Sequence, residues 1–192
     1  MHPERGPSAG LSGRYVRRVV SYPDPPLVAE NVVLRRWDRR DLSFVRKASA
    51  DAELLAGTTL PDPFTEDAGL AFIERQWNRV ERGEGMSLAI EERGAGVAVG
   101  CTTLMLRRVE VADLGYWLVR DARGRGIGKA TVELVVPWGL QELSVEAIEA
   151  FVHSENHPSR RILDACGFSL IGTRRHTVGR IDEELLVYRR ER

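Results

Sequence analysis

The spacing of apolar residues predicts that strands dominate the middle and the end of the chain. Short apolar stretches rich in β-branched residues predict strands at 32–34, 87–90, 97–106, 111–119, 145–152, 168–171 and 185–188. Arg93-Gly-Ala-Gly96 joins the second and third of these and has the composition of a hairpin turn. The strands up to residue 119 are therefore expected to pair largely antiparallel.

Four other stretches carry apolar residues with the period of a helix. Asp38 is the predicted N-cap of the first, and the second begins near Thr65. The third begins at Ile127 and is expected to kink or loosen near Pro137, and the last spans 158–166. Helices interspersed with antiparallel strands predict an α+β fold, with a mixed and mostly antiparallel central sheet of about six to seven strands and flanking helices.

The first thirty residues differ from the rest of the chain. They hold five of the nine prolines, which favours an irregular N-terminal arm over packed structure. Within the arm, the apolar and basic stretch 14–20 would suit a strand or a contact with an acidic partner. We therefore predict an arm over 1–30 and one folded domain over 31–192.

Charge and cysteine content narrow the function classes. Lys plus Arg and Asp plus Glu each number 28, so no overall field favours nucleic acid or an anionic membrane as a partner. Cys101 and Cys166 show neither the spacing of a disulfide framework nor that of a zinc site, which predicts no metal and a reducing, cytoplasmic compartment. No apolar run reaches the roughly 18 residues of a membrane span.

The most informative segment is the turn between the predicted strand 111–119 and the helix at Ile127. It reads Arg-Gly-Arg-Gly-Ile-Gly-Lys over 123–129. Glycine at alternate positions removes Cβ atoms, so backbone N–H groups can converge on an anion at the positive end of the following helix. With three basic side chains around it, this turn is predicted to bind phosphate.

Two common phosphate-binding motifs do not fit the turn. A P-loop would need Gly at 123 and Ser or Thr at 130, but these residues are Arg123 and Ala130. A dinucleotide fingerprint needs GxGxxG, whereas Lys129 stands where the third Gly should fall. That fingerprint also follows the first strand of a parallel unit, and here several antiparallel strands come first.

The turn resembles the acyl-CoA motif of the GNAT acetyltransferases, in which Gln or Arg precedes Gly and then Gly or Ala at fixed spacing. Arg123, Gly126 and Gly128 match that motif. The segment 152–168, with Asn and Ser before a helix that ends in Gly-Phe, is similar to the family's second segment. The strand Asp-Leu-Gly-Tyr-Trp-Leu at 113–118 and the loop at 61–65 resemble the RimJ/RimL-like branch of ribosomal-protein N-terminal acetyltransferases.

This resemblance extends over about 32–188 and implies a GNAT fold, in which a splayed pair of strands binds acyl-CoA. Backbone groups of Leu118 and Val119 would contact the pantetheine arm, and Asn156 would lie near the pantetheine and the thiol. Asn156 would also suit the N-cap of the helix that follows. Backbone N–H groups of the turn would hold the pyrophosphate, and they belong to Arg123, Gly124, Arg125, Gly126, Ile127, Gly128 and Lys129.

The implied reaction is direct attack of a neutral amine on the thioester of acetyl-CoA, a co-substrate, with no metal. The protein must then position the reactants, remove a proton and stabilise the leaving thiolate. Asp113 is the candidate base, directly or through water, and its alternative reading is a solvated strand carboxylate. Many relatives place a Tyr seven residues after the Asn, but Leu163 stands there. Ser159 is the candidate replacement, with a purely structural role as the alternative.

The predicted function is an acetyl-CoA-dependent N-acetyltransferase that acts on the amine of a protein N terminus or of a small molecule. The missing Tyr leaves a non-catalytic acyl-CoA sensor as the rival hypothesis, and succinyl-CoA as an alternative donor. The acceptor is expected between the 57–65 loop and the last strands, where Asp62, Glu66 and Asp67 either attract a cation or serve as helix N-terminal charges. Relatives often pair, so a homodimer is also a predicted assembly.

Overall fold

The computed structural model describes residues 20–178 and 181–192. The strands of this part of the chain are β1 (Leu27–Val28), β2 (Val32–Arg35), β3 (Gly85–Glu92), β4 (Ala98–Met105), β5 (Val111–Leu118), β6 (Ala147–Val152), β7 (Ser169–Val178) and β8 (Ile181–Glu191). They form one eight-stranded sheet in the order β1-β2-β3-β4-β5-β6-β8-β7. All neighbours pair antiparallel except β5 and β6, which pair parallel. The predicted α+β fold with a mixed, mostly antiparallel sheet is confirmed, although the sheet has eight strands where about six to seven were expected.

The helices of the described residues are α1 (Leu42–Ala48), α2 (Ala52–Gly57), α3 (Glu66–Glu81), α4 (Ile127–Glu142) and α5 (His157–Ala165). The predicted N-cap Asp38 is present, and Thr65, near which the sequence predicts the second helix to begin, is also an N-cap. Asp38 accepts from Arg40 N at 2.8 Å and so begins the short 3-10 turn before α1. Thr65 accepts from Ala68 N at 3.1 Å at the start of α3. Such caps satisfy backbone donors that the helix itself cannot, and each is worth about 1 kcal/mol.

Besides β1, four elements differ from the expectation. α2 is a helix of 6 residues, too short to show a helical period in the sequence. α4 continues through Pro137 to Glu142 because buried residues on both sides of the proline hold it against the sheet. The apolar stretches 168–171 and 185–188 are only the inner parts of β7 and β8, whose outer parts are charged and therefore show no apolar pattern.

The described part of the predicted arm is packed against the domain. Val20 is buried, and the Tyr22 hydroxyl donates to the Gln76 carbonyl at 3.3 Å. β1 pairs with β2, with Leu27 opposite Leu34. The folded domain therefore includes residues 20–30. The predicted boundary at residue 31 lies too late in the chain. Residues 1–19, including most of the stretch 14–20, lie outside the described part.

Alternate residues of β5 face the two layers of helices. Trp117 stacks on Phe44 of α1 with ring centroids 5.7 Å apart, so odd-numbered residues of β5 face α1 and α3. A Cβ placed on Gly128 of α4 would lie 3.8 Å from Leu118 Cδ1 and 3.9 Å from Tyr116 Cε2. Even-numbered residues therefore face α4 and α5, because successive side chains of a strand point to opposite faces.

A gap opens where β5 and β6 separate. Their parallel pairing ends at Leu114 and Ala150. Beyond that point β5 stays paired with β4 up to Leu118, while β6 stays paired with β8 up to Val152. We call the space between 115–118 and 151–152 the gap. Its closed end is at Leu114 and Ala150, next to Asp113 and Glu149, and its open end is at the turn 123–129.

Candidate active site

Backbone groups of β5 point into the gap. Val119 N donates to the Val99 carbonyl at 3.0 Å, so the N–H of Val119 points towards the β4 side. The backbone N–H and C=O groups of successive strand residues point alternately to the two edges of the strand. Tyr116 and Leu118 therefore present their backbone groups to the gap, where the Leu118 carbonyl already accepts from Arg123 Nε. The Val119 carbonyl accepts from Ala122 N at 3.0 Å, so both backbone groups of Val119 are bonded within the chain. This corrects the expectation for Val119, and Tyr116 takes its place.

At the open end, the turn leads into α4 through two left-handed glycines. Gly124 and Gly126 have φ values of 73° and 78°, which glycine adopts without steric cost. Gly126 is the N-cap and supplies no side-chain cap. The first helical hydrogen bond runs from Ala130 N to the Gly126 carbonyl at 3.0 Å. The N–H groups of the first helical residues, 127–129, therefore lack an intrahelical acceptor and suit an anion.

The basic side chains of the turn are held by carboxylates from separate parts of the chain. Each predicted cation forms one salt bridge, and the pairs are Arg123 with Glu53, Arg125 with Glu92 and Lys129 with Glu133. Arg123 Nε also donates to the Leu118 carbonyl at 3.0 Å and so ties the turn to the end of β5. The basic side chains of the turn are thus partly neutralised by these carboxylates, whereas the backbone amides of 127–129 have no acceptor within the helix.

The start of α5 closes the gap on the face of α4. Asn156 Oδ1 accepts from Ser159 N at 3.1 Å, so Asn156 is the N-cap of α5, one of the two roles considered for it. A Cβ on Gly128 would come within 3.1 Å of Ile162 Cδ1. Glycine at 128 therefore allows the first turn of α4 to approach α5 closely.

Two hydroxyl groups meet on this side of the gap. The Tyr116 hydroxyl and Ser159 Oγ lie 2.8 Å apart, within hydrogen-bond distance. Burial raises the pKa of Tyr116 to about 12, although the bond with Ser159 opposes the rise, so the phenol keeps its proton at neutral pH. Leu163, where many relatives have Tyr, is fully buried. The sequence analysis did not single out Tyr116, although Tyr116 belongs to the segment 113–118 that resembles the family. Its even number places it on the face of β5 that is turned towards α4 and α5.

At the closed end, two carboxylates lie side by side on the opposite face of the sheet. Asp113 and Glu149 are register partners and both are buried. Asp113 Oδ1 accepts from Arg108, whereas Asp113 Oδ2 lies 4.0 Å from Arg107 Nε, which is too long for a hydrogen bond. The reading of Asp113 as a solvated strand carboxylate is therefore wrong.

Glu149 is bonded to three guanidinium groups. Its oxygens lie 2.7 Å from Arg108, 2.9 Å from Arg174 and 3.1 Å from Arg189. Burial alone would raise the pKa of Glu149, but the hydrogen bonds and charges of Arg108 and Arg174 outweigh burial and lower the pKa. Glu149 is thus an anion at neutral pH, and the sequence pattern did not indicate it.

The β7–β8 hairpin adds a histidine beside these carboxylates. His176 stacks on Phe151 with ring centroids 3.7 Å apart. Phe151 is the first residue of β6 beyond the part that pairs with β5. Burial lowers the pKa of His176, and the neighbouring arginines lower it further against the opposite effect of Asp113. The imidazole is therefore neutral at pH 7 and able to accept a proton. It was missed because β7 extends beyond its predicted end.

The acidic residues near the start of α3 have a structural use. Glu66 and Asp67 occupy the first turn of α3, where negative charge is favourable to the helix dipole.

Within residues 20–178 and 181–192, no helix is long and apolar enough to cross a membrane. The same residues contain no group of three or more His, Cys, Asp or Glu side chains placed to hold a metal.

Comparison with known proteins agrees with this geometry. The sequence model of a family described as an acetyltransferase (GNAT) domain matches residues 31–169. The probable N-acetyltransferase YjcK of Bacillus subtilis (strain 168) is 31% identical over 121 residues, which are 61% of this chain and 66% of that protein. The aligned part is thus just under two thirds of the length of that relative.

Two solved structures illustrate the likeness in fold. Mycobacterium smegmatis RimJ in complex with CoA-disulfide has a TM-score of 0.71 and 22% identity, with 83% of this chain and 81% of that chain covered. The ribosomal-protein-S5-alanine acetyltransferase from Vibrio fischeri has a TM-score of 0.73 and 14% identity, with 86% and 96% covered. At such identities the likeness shows a shared fold and no more.

Proposed function

Since this chain belongs to the GNAT acetyltransferase domain family, we propose that it transfers an acetyl group from acetyl-CoA to a primary amine by direct attack. The amine belongs to a protein N terminus or to a small molecule. The observation that carries the proposal is the gap itself, with strand amides along its side and uncapped helix amides at its open end.

The gap has the geometry for an elongated ligand with a phosphate at one end. Leu114 and Leu118 are four strand residues apart, which is about 13 Å. A coenzyme whose pyrophosphate lies on the amides of 127–129 can extend past the backbone of Leu118 and Tyr116. Its thioester then lies toward the closed end, between the Tyr116–Ser159 pair on one face and Asp113 on the other.

The two faces of the gap supply the two proton transfers. On the α5 side, Ser159 and the protonated Tyr116 donate to the leaving thiolate. On the other side, Asp113 Oδ2 takes the proton from the attacking amine, directly or through water, because Oδ1 is already bonded to Arg108. His176 is the alternative base. The pH profiles of Asp113→Asn and His176→Gln distinguish them, since only loss of the true base removes the acidic limb of kcat.

The acceptor approaches from the sheet face that carries Asp113 and Glu149, toward the 57–65 loop. An α-amine with a pKa of about 7.7 is roughly one-sixth neutral at pH 7, whereas a lysine with a pKa of about 10.4 is neutral only about once in 2,500 molecules. A terminal α-amine therefore needs less help from the base and is the favoured acceptor.

The test is release of CoA thiol from acetyl-CoA across N-terminal peptides, polyamines and amino sugars, with succinyl-CoA as a second donor. We expect acceptor-dependent release that Gly126→Glu abolishes. Tight CoA binding without release on any acceptor would instead establish the sensor hypothesis. The same panel identifies the class of acceptor.

A further inference from the structure

Four arginines surround the closed end of the gap, and we call them the arginine cluster: Arg107, Arg108, Arg174 and Arg189. They come from the β4–β5 connection and from the last two strands. The carboxylates of Asp113 and Glu149 are bonded to them, one pair before the last β5–β6 pair, Leu114 and Ala150, where the gap begins. The cluster therefore lies where the acceptor of the proposed reaction would sit.

The cluster holds more positive charge than its carboxylates need. Four guanidinium groups share the two buried carboxylates, and a third carboxylate, Glu191, pairs with Arg189 at 3.1 Å from an exposed position. Glu149 alone is bonded to three arginines, although one counter-charge would offset its own. The local balance is therefore positive in a protein whose net charge is zero.

Two members of the cluster face the solvent with donors to spare. The side chains of Arg107 and Arg174 are 56% and 47% exposed. Arg107 reaches Asp113 only at 4.0 Å, and Arg174 uses Nη1 for Glu149. A guanidinium group has five N–H donors in a planar fork, which matches the paired oxygens of a carboxylate or phosphate.

One exposed member of the cluster, Arg174, is also fixed in place. Arg174 lies over the ring of Phe151, 5.7 Å from its centroid, while its Nη1 is bonded to Glu149. Phe151 in turn stacks on His176. The guanidinium of Arg174 is thus preorganised, so little conformational entropy is lost when an anion binds.

We propose that the arginine cluster binds an anionic group, a carboxylate or a phosphate, that the acceptor molecule carries near its amine. The inference rests on the proposed transferase function and names its substrate class. A polycation is a poor acceptor at such a site, because it meets a positive surface. The same charges disfavour protonation of a nearby amine and so favour the neutral form that attacks.

The test compares acceptors that differ by one negative charge. The pairs are C-terminally amidated Ala-Asp against C-terminally amidated Ala-Asn, and glucosamine 6-phosphate against glucosamine, so that carboxylate and phosphate are separated. We expect kcat/KM to be about 10- to 100-fold higher for the charged member of at least one pair, as for one or two charge-assisted hydrogen bonds. Arg107→Gln and Arg174→Gln should each reduce that ratio towards one, because they lower kcat/KM more for the charged member of a pair than for its uncharged partner.

Arg82→Gln is the matched control, because Arg82 is 63% exposed at the end of α3. A wild-type ratio near one in both pairs, or ratios that neither cluster variant changes, would overturn the inference. Titration calorimetry measures how tightly the same acceptors bind to the CoA-bound protein. This measurement tests the anion site separately from the proposed transferase function. Charge-dependent binding without any thiol release would refute the transferase and keep the anion site, whereas equal or absent binding would refute the site.

Discussion

The two ends of the gap hold positive charge in different ways. At the open end, each of the three cations has one carboxylate partner, and all of these side chains are at least about a third exposed. At the closed end, four guanidinium groups share two buried carboxylates, and Glu149 is 1% exposed. The hydrogen-bond donors that could bind an anion also differ. At the open end they include backbone amides, whereas at the closed end they are guanidinium side chains.

This difference separates two kinds of recognition. Backbone amides at a helix start bind phosphate whatever the neighbouring side chains are, which suits a co-substrate that every member of a family shares. Side chains gathered from distant segments can change independently of the turn. The acceptor end is therefore where specificity is expected to differ between relatives that bind the same coenzyme.

The largest effect is expected from Gly126→Glu at the open end. The substitution forces a side chain into a φ of 78° and places a carboxylate where the phosphate should lie. We expect CoA binding, measured by titration calorimetry, to weaken by more than about 100-fold. Gly83→Glu is the control, since Gly83 has a φ of 68° at the end of α3 and shares only the backbone strain. Equal loss in both variants would mean that strain, and not the anion site, explains the effect.

The middle of the gap should show a smaller effect, on kcat. Tyr116→Phe and Ser159→Ala are each expected to lower kcat by roughly 10- to 100-fold, because they remove a proton donor to the thiolate. The deficit should shrink as pH rises past the thiol pKa of about 8.5, where the thiolate leaves without a proton. Tyr22→Phe, which removes a similar hydroxyl near α3, is the control. A pH-independent deficit would indicate a structural role instead.

At the closed end, Glu149→Gln should reduce stability. The loss is expected to be about 1–2 kcal/mol, below the ~3–5 kcal/mol of a fully buried pair, because its arginine partners are partly exposed. Since the folded-state pKa of Glu149 is lowered, the stabilisation is fully present above the ordinary value of about 4.3 and is lost as pH falls through the folded-state pKa.

Urea unfolding measures this dependence. Wild type and Glu149→Gln should differ clearly at about pH 7 and converge towards about pH 3. Glu191→Gln, which removes the 73% exposed partner of Arg189, should cost less than about 0.5 kcal/mol. A Glu149→Gln difference that persists unchanged in acid would contradict the ion-pair explanation.

The smallest effect is expected from the basic side chains of the turn. Arg125→Gln and Lys129→Gln should each weaken CoA binding by about two- to fivefold, and less at high salt, because both side chains are about half exposed. Calorimetry at two salt concentrations measures this. A loss of more than about 30-fold would show that side chains rather than amides hold the phosphates, and would remove the contrast between the two ends.

Much of the open end was predictable because it is local in sequence. The prediction of a GNAT acetyltransferase is confirmed by the family whose model matches residues 31–169. The turn, its glycines and the following helix are contiguous, and the caps at Asp38 and Thr65 lie beside the helices they begin. Local backbone conformation and helix starts depend on neighbouring residues, so a sequence pattern reports them directly.

The sequence alone therefore determined the class of fold, the position of the glycine-rich turn before α4 and the family. Only the tertiary structure decided that Val119 is bonded within the chain, that Tyr116 meets Ser159 across 43 positions of sequence, and that the arginine cluster assembles from the β4–β5 connection, β7 and β8. These contacts depend on strand register and on which chain segments the sheet brings together. No short-range pattern encodes that choice, because each of these residues, read in its own segment, is an ordinary surface or strand residue.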